Sequence, residues 1–597
     1  MILNSNLPRL SDFGWLSIVI VFGMAGCRGE PSTGSPQPAS TTQVSAKSQP
    51  LLARLPFEVS APAAPRAAHD DDWFEDVTQR SGVQWKYRTG CEARYYTLLE
   101  TVGGGVALID YDVDGDLDLF FTGGGQMTTP PVTVRGVDCA LFRNDGDWSF
   151  TDVTESLGLK STELYTHGAA VNDYDRDGYP DLFVTGYGSC RLLHNRAGLR
   201  FEEVILPASS MQKKWFTSAA WGDFDRDGFV DLFAVCYADW HGTEDICVQH
   251  QAEGNRRDAC APTQYPGQQS VLLRNQGDGT FEDVSQAAGI LPAMRSLGIV
   301  TADLDGDGWL DWFVANDVNE NQLYWGRDEF PFDEGGVLAG VAFSETGERD
   351  GSMGTDIADV DGDGVLDLFI ANYAGQDNVL ARGIGNRGFI NITKSYGLAA
   401  PSRRWVKFAS LFADFDLDGW LDLFVANGHV LYEASEVPFL QPAQLFRNKD
   451  GVRFEEVSAQ GGPYFDVPHG GRGAAIGDLD NDGAPDLVIV EQDAPVKILR
   501  NRHPAKNWLR LTLVGRTSGR DPVGARVHLQ QESRLMVRTI CGGGSYLSQS
   551  DPRILFALEA DHPVDVTVIW PGGEREVFSN LSLRRTHQLA EGAGRRP

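Results

Sequence analysis

Asp110-Tyr111-Asp112-Val113-Asp114-Gly115-Asp116-Leu117-Asp118 sets carboxylates at positions one, three, five and nine around a glycine. It lies between the strand-like runs Gly104–Ile109 and Asp118–Phe121. Calcium takes six to eight oxygens and tolerates an irregular shell, which such a loop can fold inward with a backbone carbonyl from position seven. The glycine at position six permits the sharp turn. Without a cation, four like charges so close together would repel, and some would have to protonate.

The pattern Asp-x-Asp-x-Asp-Gly-x-x-Asp occurs seven times. After Asp110, Asp112, Asp114 and Asp118 come Asp173, Asp175, Asp177, Asp181; Asp223, Asp225, Asp227, Asp231; and Asp303, Asp305, Asp307, Asp311. The last three are Asp359, Asp361, Asp363, Asp367; Asp414, Asp416, Asp418, Asp422; and Asp478, Asp480, Asp482, Asp486. These carboxylates are the candidate ligands for up to seven calcium ions, one per loop. An EF-hand would need a bidentate Glu at position twelve between helices. Here that position is Phe121, Val184, Ala234, Val314, Ile370, Val425 or Ile489, inside β-rich runs. Magnesium fits less well, because it demands a rigid octahedron and keeps several waters.

Each loop belongs to a four-strand unit. A third run ends in Leu-x-x-Asn, as in Leu141-Phe142-Arg143-Asn144, Leu192-Leu193-His194-Asn195, Leu272-Leu273-Arg274-Asn275 and Leu445-Phe446-Arg447-Asn448. A glycine turn and a strand of Phe-Glu-Asp-Val type follow, as at Phe281-Glu282-Asp283-Val284. Four strands recurring every ~50 residues predict propeller blades. The fold class expected is therefore all-β, a seven-bladed β-propeller over residues 71–503 with a small C-terminal β domain. The seventh unit lacks its fourth strand, and an orphan Phe74-Glu75-Asp76-Val77-Thr78 precedes the first; strand 73–78 is expected to close the ring and remove an open edge. Blade four must draw its last strand from the blurred stretch Phe330–Ser344, and residues 239–267 read as an insertion.

The formal net charge of −32 is mainly a property of the loops, whose positions one, three, five and nine alone hold 28 of the acidic residues. Nucleic acid is excluded as a partner, since phosphate binding needs basic patches. Residues 1–27 read as an export signal: Arg9, then the apolar run Trp15–Phe22, then Met24-Ala25-Gly26-Cys27, which resembles a bacterial lipobox with Cys27 as the lipidated residue. Residues 28–70 read as a disordered Pro/Ser/Thr/Ala-rich tether, so membrane contact is expected only through the lipid anchor. Cys247 and Cys260 bracket the polar insertion and are expected to form a disulfide in an exported chain. Cys91, Cys139, Cys190, Cys236 and Cys541 are left unpaired by this reading, and the lack of any Cys-x-x-Cys pair argues against zinc.

From Asn507 the pattern changes to strands without aspartate loops, read as a separate β domain over residues 507–591. In it, Ser545, Tyr546 and Gln549 sit in the glycine-rich stretch Cys541–Gln549, expected to be a turn of that domain. Here the chain resembles a known family. Its blades look like FG-GAP/VCBS repeats, as in integrin α-subunits. Val523-Gly524-Ala525-Arg526-Val527, Gly543-Gly544-Ser545-Tyr546-Leu547-Ser548-Gln549 and Trp570-Pro571-Gly572-Gly573 look like an ASPIC/UnbV domain. The pairing is similar to the cartilage acidic protein-like family with its bacterial relatives. That resemblance implies extracellular calcium-binding or adhesion-like roles without an agreed reaction. The Phe-Gly…Gly-Ala-Pro motif of integrins is missing, so integrin ligand recognition is not carried over.

Three functions follow as expectations. The first is an exported, calcium-stabilised binding, adhesion or scaffold protein on the cell envelope or surface, with an extracellular protein or glycan partner. The second is an extracellular enzyme on glycan or another polymer, whose carboxylate pair is not visible in sequence. The third is an accessory protein in a biosynthetic pathway. No catalytic residue is assigned. His167, His429 and His469 adjoin blade strands and read as packing residues.

Overall fold

Both faces of a propeller strand are covered, so the second strand of each unit is apolar at almost every position rather than alternating. The computed structural model describes residues 66–128, 133–242, 247–251, 254–432, 437–532 and 534–597. The expected export signal, Cys27 and most of the tether lie outside them. Seven four-strand antiparallel blades are formed. In blade 1, Val106–Ile109 pairs with Asp118–Phe121, then Ala140–Asn144, then Phe150–Asp152. Leu119 and Phe121 pack into one core cluster while Phe120, between them, packs into the next. Successive side chains point to opposite faces of the sheet, so one strand helps fill both gaps beside its blade.

The first strand of each blade is innermost, and these strands touch in cyclic order, that of blade 1 lying against those of blades 2 and 7. Phe74–Asp76 is the outer strand of blade 7, with Phe74 opposite Asn501 and Asp76 opposite Leu499. Blade four ends in the two-residue strand Asp333–Glu334. The insertion in blade 3 forms a hairpin, Cys247–Gln251 with Gly254–Asp258, and Cys247 is disulfide-bonded to Cys260. Cys91, Cys139, Cys190, Cys236 and Cys541 are reduced.

The C-terminal residues make two sheets, one of Arg534–Thr539, Arg526–Gln531, Val564–Ile569 and Arg575–Leu581, the other of Ile554–Ala557, Trp508–Val514 and Arg585–Ala590. Their own core also takes in Leu310, from the fourth aspartate loop.

The segment Cys541–Asp551 corrects the expectation of a local turn. It leaves the small domain and runs into the propeller axis, meeting every blade. Gln549 bridges to Ala107 of blade 1. Leu547 O accepts the Ala169 N–H of blade 2 at 3.1 Å, and Leu547 N–H donates to Ser218 Oγ of blade 3 at 3.3 Å. Gly542–Gly543 adds a fifth strand to blade 4. Ser545 O accepts the Thr355 N–H of blade 5 at 3.0 Å, the Tyr546 ring lies 5.0 Å from Phe408 of blade 6, and Ser545 Oγ donates to Ala474 O of blade 7 at 2.8 Å.

Small residues stand five positions before each loop, at Gly105, Gly168, Ser218, Gly298, Gly354, Ala409 and Gly473, and those at Gly105, Gly168 and Gly473 leave room for this plug. A Cβ on Gly105 would sit 2.1 Å from Leu547 O, and one on Gly168 2.8 Å from it. Tyr546 and Leu547 are fully buried in the same cluster as Leu297, Met353 and Phe408, so the axis is packed core. Leu547→Ala is expected to cost about 2–5 kcal/mol, as a truncated core leucine does, read as a lower midpoint in urea unfolding.

Candidate metal centres

Within each loop the carboxylates first organise the backbone. The position-one Oδ2 accepts the N–H of the position-six glycine in all seven loops, for example Asp110 from Gly115 at 3.1 Å. The position-five carboxylate accepts the N–H of residue seven in all seven. The ninth aspartate is buried and accepts two backbone N–H groups: Asp118 takes Tyr111 N–H at 3.1 Å and Asn144 N–H at 2.8 Å. It thus fastens the loop to the third strand.

Position four is left-handed throughout, with φ of 60° at Val113, 64° at Arg176, 58° at Arg226, 60° at Leu417 and 58° at Asn481; glycines Gly306 and Gly362 fill the other two. The sequence pattern hides this, because only two loops carry the residue that adopts such a φ freely.

The predicted ligands converge. Donor oxygens of Asp110, Asp112 and Asp118 lie within 4.8 Å of one another, as do those of Asp223, Asp225 and Asp231, and of Asp303, Asp305 and Asp311. Asp112 Oδ1, Asp414 Oδ1 and Asp480 Oδ1 are buried without a hydrogen-bond donor, so they are free to meet a cation. Burial, with neighbouring carboxylates adding to it, pushes Asp118 and Asp367 up to about 8. Burial chiefly, then Asp114, pushes Asp110 up to about 6.

Arginines the loop motif does not contain offset part of the charge. The third strand supplies Arg274, 2.6 Å from Asp225, Arg382, close to Asp361 and 2.8 Å from Asp363, and Arg500, 3.0 Å from Asp480. Arg447 of the same strand pairs with Asp416 and Asp418. Blade 4 has Trp325 at that place, and Arg387 from the next blade reaches over it to Asp305.

From the other side, the C-terminal domain covers the loops. Arg510 lies 3.0 Å from Asp478, Arg520 3.2 Å from Asp173 and Arg526 3.5 Å from Asp303. Arg538 donates to Gly419 O and Arg553 to Gly115 O. In loops four and seven, four carboxylates face two guanidinium groups. With all four carboxylates ionised, two negative charges would be left over, the number that one divalent cation neutralises. Cavities remain between the domain and the loops; one of about 460 Å³ is lined by Asp110, Asp173, Trp221, Arg510, Arg520 and Arg553.

The recurring Asn at the end of the third strand staples blades together. Asn448 Nδ2 donates to Leu421 O of its own loop and to Val360 O of the preceding one, at 3.1 and 2.9 Å. Asn144, Asn195, Asn275 and Asn501 repeat the arrangement.

The three histidines lie in packed surroundings. His167 is buried and stacks on Trp215, His429 meets Tyr373 edge-on, and His469 stacks on Tyr464.

Residues 110–184, 173–234, 259–314, 303–370, 359–425 and 414–489 match the FG-GAP-like repeat family, and residues 515–596 match ASPIC and UnbV. Cartilage acidic protein 1 of Mus musculus is 26% identical over 71% of this chain and 74% of its own. The Homo sapiens protein of that name is 26% identical over 53% of this chain, which spans only 47% of its length. Among solved structures, an Agrocybe aegerita lectin described as recognising non-reducing terminal N-acetylglucosamine is 15% identical, with a TM-score of 0.37 over 61% of this chain and 84% of its own.

Asn448→Ala leaves two buried carbonyls without donors and is expected to destabilise the protein by about 2–4 kcal/mol. Chemical denaturation of the purified variant measures it.

Proposed function

The chain belongs to the FG-GAP-like repeat proteins with an ASPIC and UnbV domain, and from that premise we propose an exported, calcium-stabilised binding or scaffold module. The observation that carries the calcium reading is the set of converging carboxylates, some with undonated oxygens, whose charge fixed arginines offset only in part. Calcium suits them because every predicted donor in these loops is oxygen and calcium tolerates an irregular shell. Ions bound there would hold together a loop, the strand behind it and the covering domain.

With the axis packed by Tyr546 and Leu547, a partner would meet the outer surfaces of the ring. An extracellular protein or glycan is the class of partner favoured by an exported, rigid, acidic body. Anchoring through Cys27 rests on the lipobox resemblance; among the described residues no helix is long and apolar enough to cross a membrane.

Ions bound only by the folded state stabilise it through mass action. Chelation is therefore expected to lower the melting temperature, and an unchanged melt on protein verified as metal-free would overturn the reading. Asp359→Ala combined with Asp363→Ala should remove one bound ion from the total counted by native mass spectrometry. A metabolically incorporated fatty acid should label the chain in its native host, with the label lost in Cys27→Ser.

A further inference from the structure

The second loop differs from five of the others in the third-strand side chain beside it. Where Arg143, Arg274, Arg382, Arg447 and Arg500 stand on the third strand, blade 2 carries His194. Arginine can only oppose charge, whereas a neutral imidazole nitrogen offers a lone pair to a metal. His194 is 2% exposed, and neither ring nitrogen has a hydrogen-bond partner. Its Nδ1 nonetheless lies 3.1 Å from Asp175 Oδ2 and 3.3 Å from Asp181 Oδ1, and Nε2 lies 3.8 Å from Asp177 Oδ2. Donor atoms of His194, Asp175 and Asp181 all fall within 4.8 Å of one another. For tetrahedral ligands at ~2.0–2.1 Å from a zinc ion, donor separations come to about 3.3 Å.

We propose that this loop binds a zinc-class transition-metal dication through His194 Nδ1, Asp175 and Asp181. The proposal rests on reading the loops as cation sites and assigns one of them a different metal. Imidazole favours zinc and its neighbours, while calcium prefers an all-oxygen shell. The lack of Cys-x-x-Cys pairs argues only against zinc held by cysteine; this nitrogen donor comes from a strand 13 or more residues beyond the loop's aspartates.

The test uses the full chain, stripped with chelator and then given Zn²⁺ in the presence of excess Ca²⁺, with both metals counted by elemental analysis. Wild type is expected to retain one Zn²⁺ that His194→Arg loses, with calcium unchanged. Cobalt(II) in place of zinc should give a visible absorption band in wild type that the variant lacks. The variant is expected to fold, because arginine holds this place in five other blades. No retained Zn²⁺ in wild type, or equal retention by His194→Arg, overturns the proposal. Zinc lost by the variant, with no calcium bound by either protein, would support this site and sink the calcium reading instead.

Discussion

The fold depends on a buried carboxylate held by two backbone N–H groups from different parts of the chain. The ninth aspartate of each loop occupies this position. Desolvating such a group is costly unless its oxygens are well satisfied, and the two donors supply part of that satisfaction. Geometry then follows: the loop curls over the end of its own blade, and in loops one, three and four the aspartates at positions one and three lie beside the ninth. Shaping the turn and concentrating charge are therefore not separable in these loops, since the same groups do both.

The C-terminal domain completes this arrangement from above. Its arginines reach the loops, and its glycine-rich segment reaches the axis. A ring of seven inner strands twisted about an axis leaves a gap, and small residues at one level widen it enough for a backbone to enter. The plug satisfies its own peptide groups by bonding to several blades, as buried backbone must. Cap and propeller thus share one core, which accounts for Tyr546 and Leu547 clustering with blade residues rather than with the sheets that carry them.

The sequence reveals the repeating parts well. Aspartate spacing, apolar second strands and the Leu-x-x-Asn ending each recur, and recurrence marks a local rule. It reveals non-repeating parts poorly. Val113, Arg176 and Leu417 give no hint of a left-handed backbone, because the loop's own hydrogen bonds to the position-one carboxylate override their preference. Cys541–Gln549 reads as a turn because glycine serves both turns and close backbone approach, and the sequence does not say which. The strands Arg575–Leu581 and Arg585–Ala590 carry little continuous apolar pattern and go unread. The cap arginines and His194 acquire meaning only when distant segments come together.

The placement of the plug also bears on synthesis. The strand Phe74–Asp76 pairs with Lys497–Asn501, and the axis is filled by Tyr546 and Leu547. Contacts of such long sequence separation form late and slowly. A nascent chain halted before Asp551 would expose a ring of glycine-lined backbone edges to the ribosome's surroundings. Assembly of the hub must await synthesis through Asp551, so the seven blades would travel as an incomplete body until the segment that fills their axis emerges.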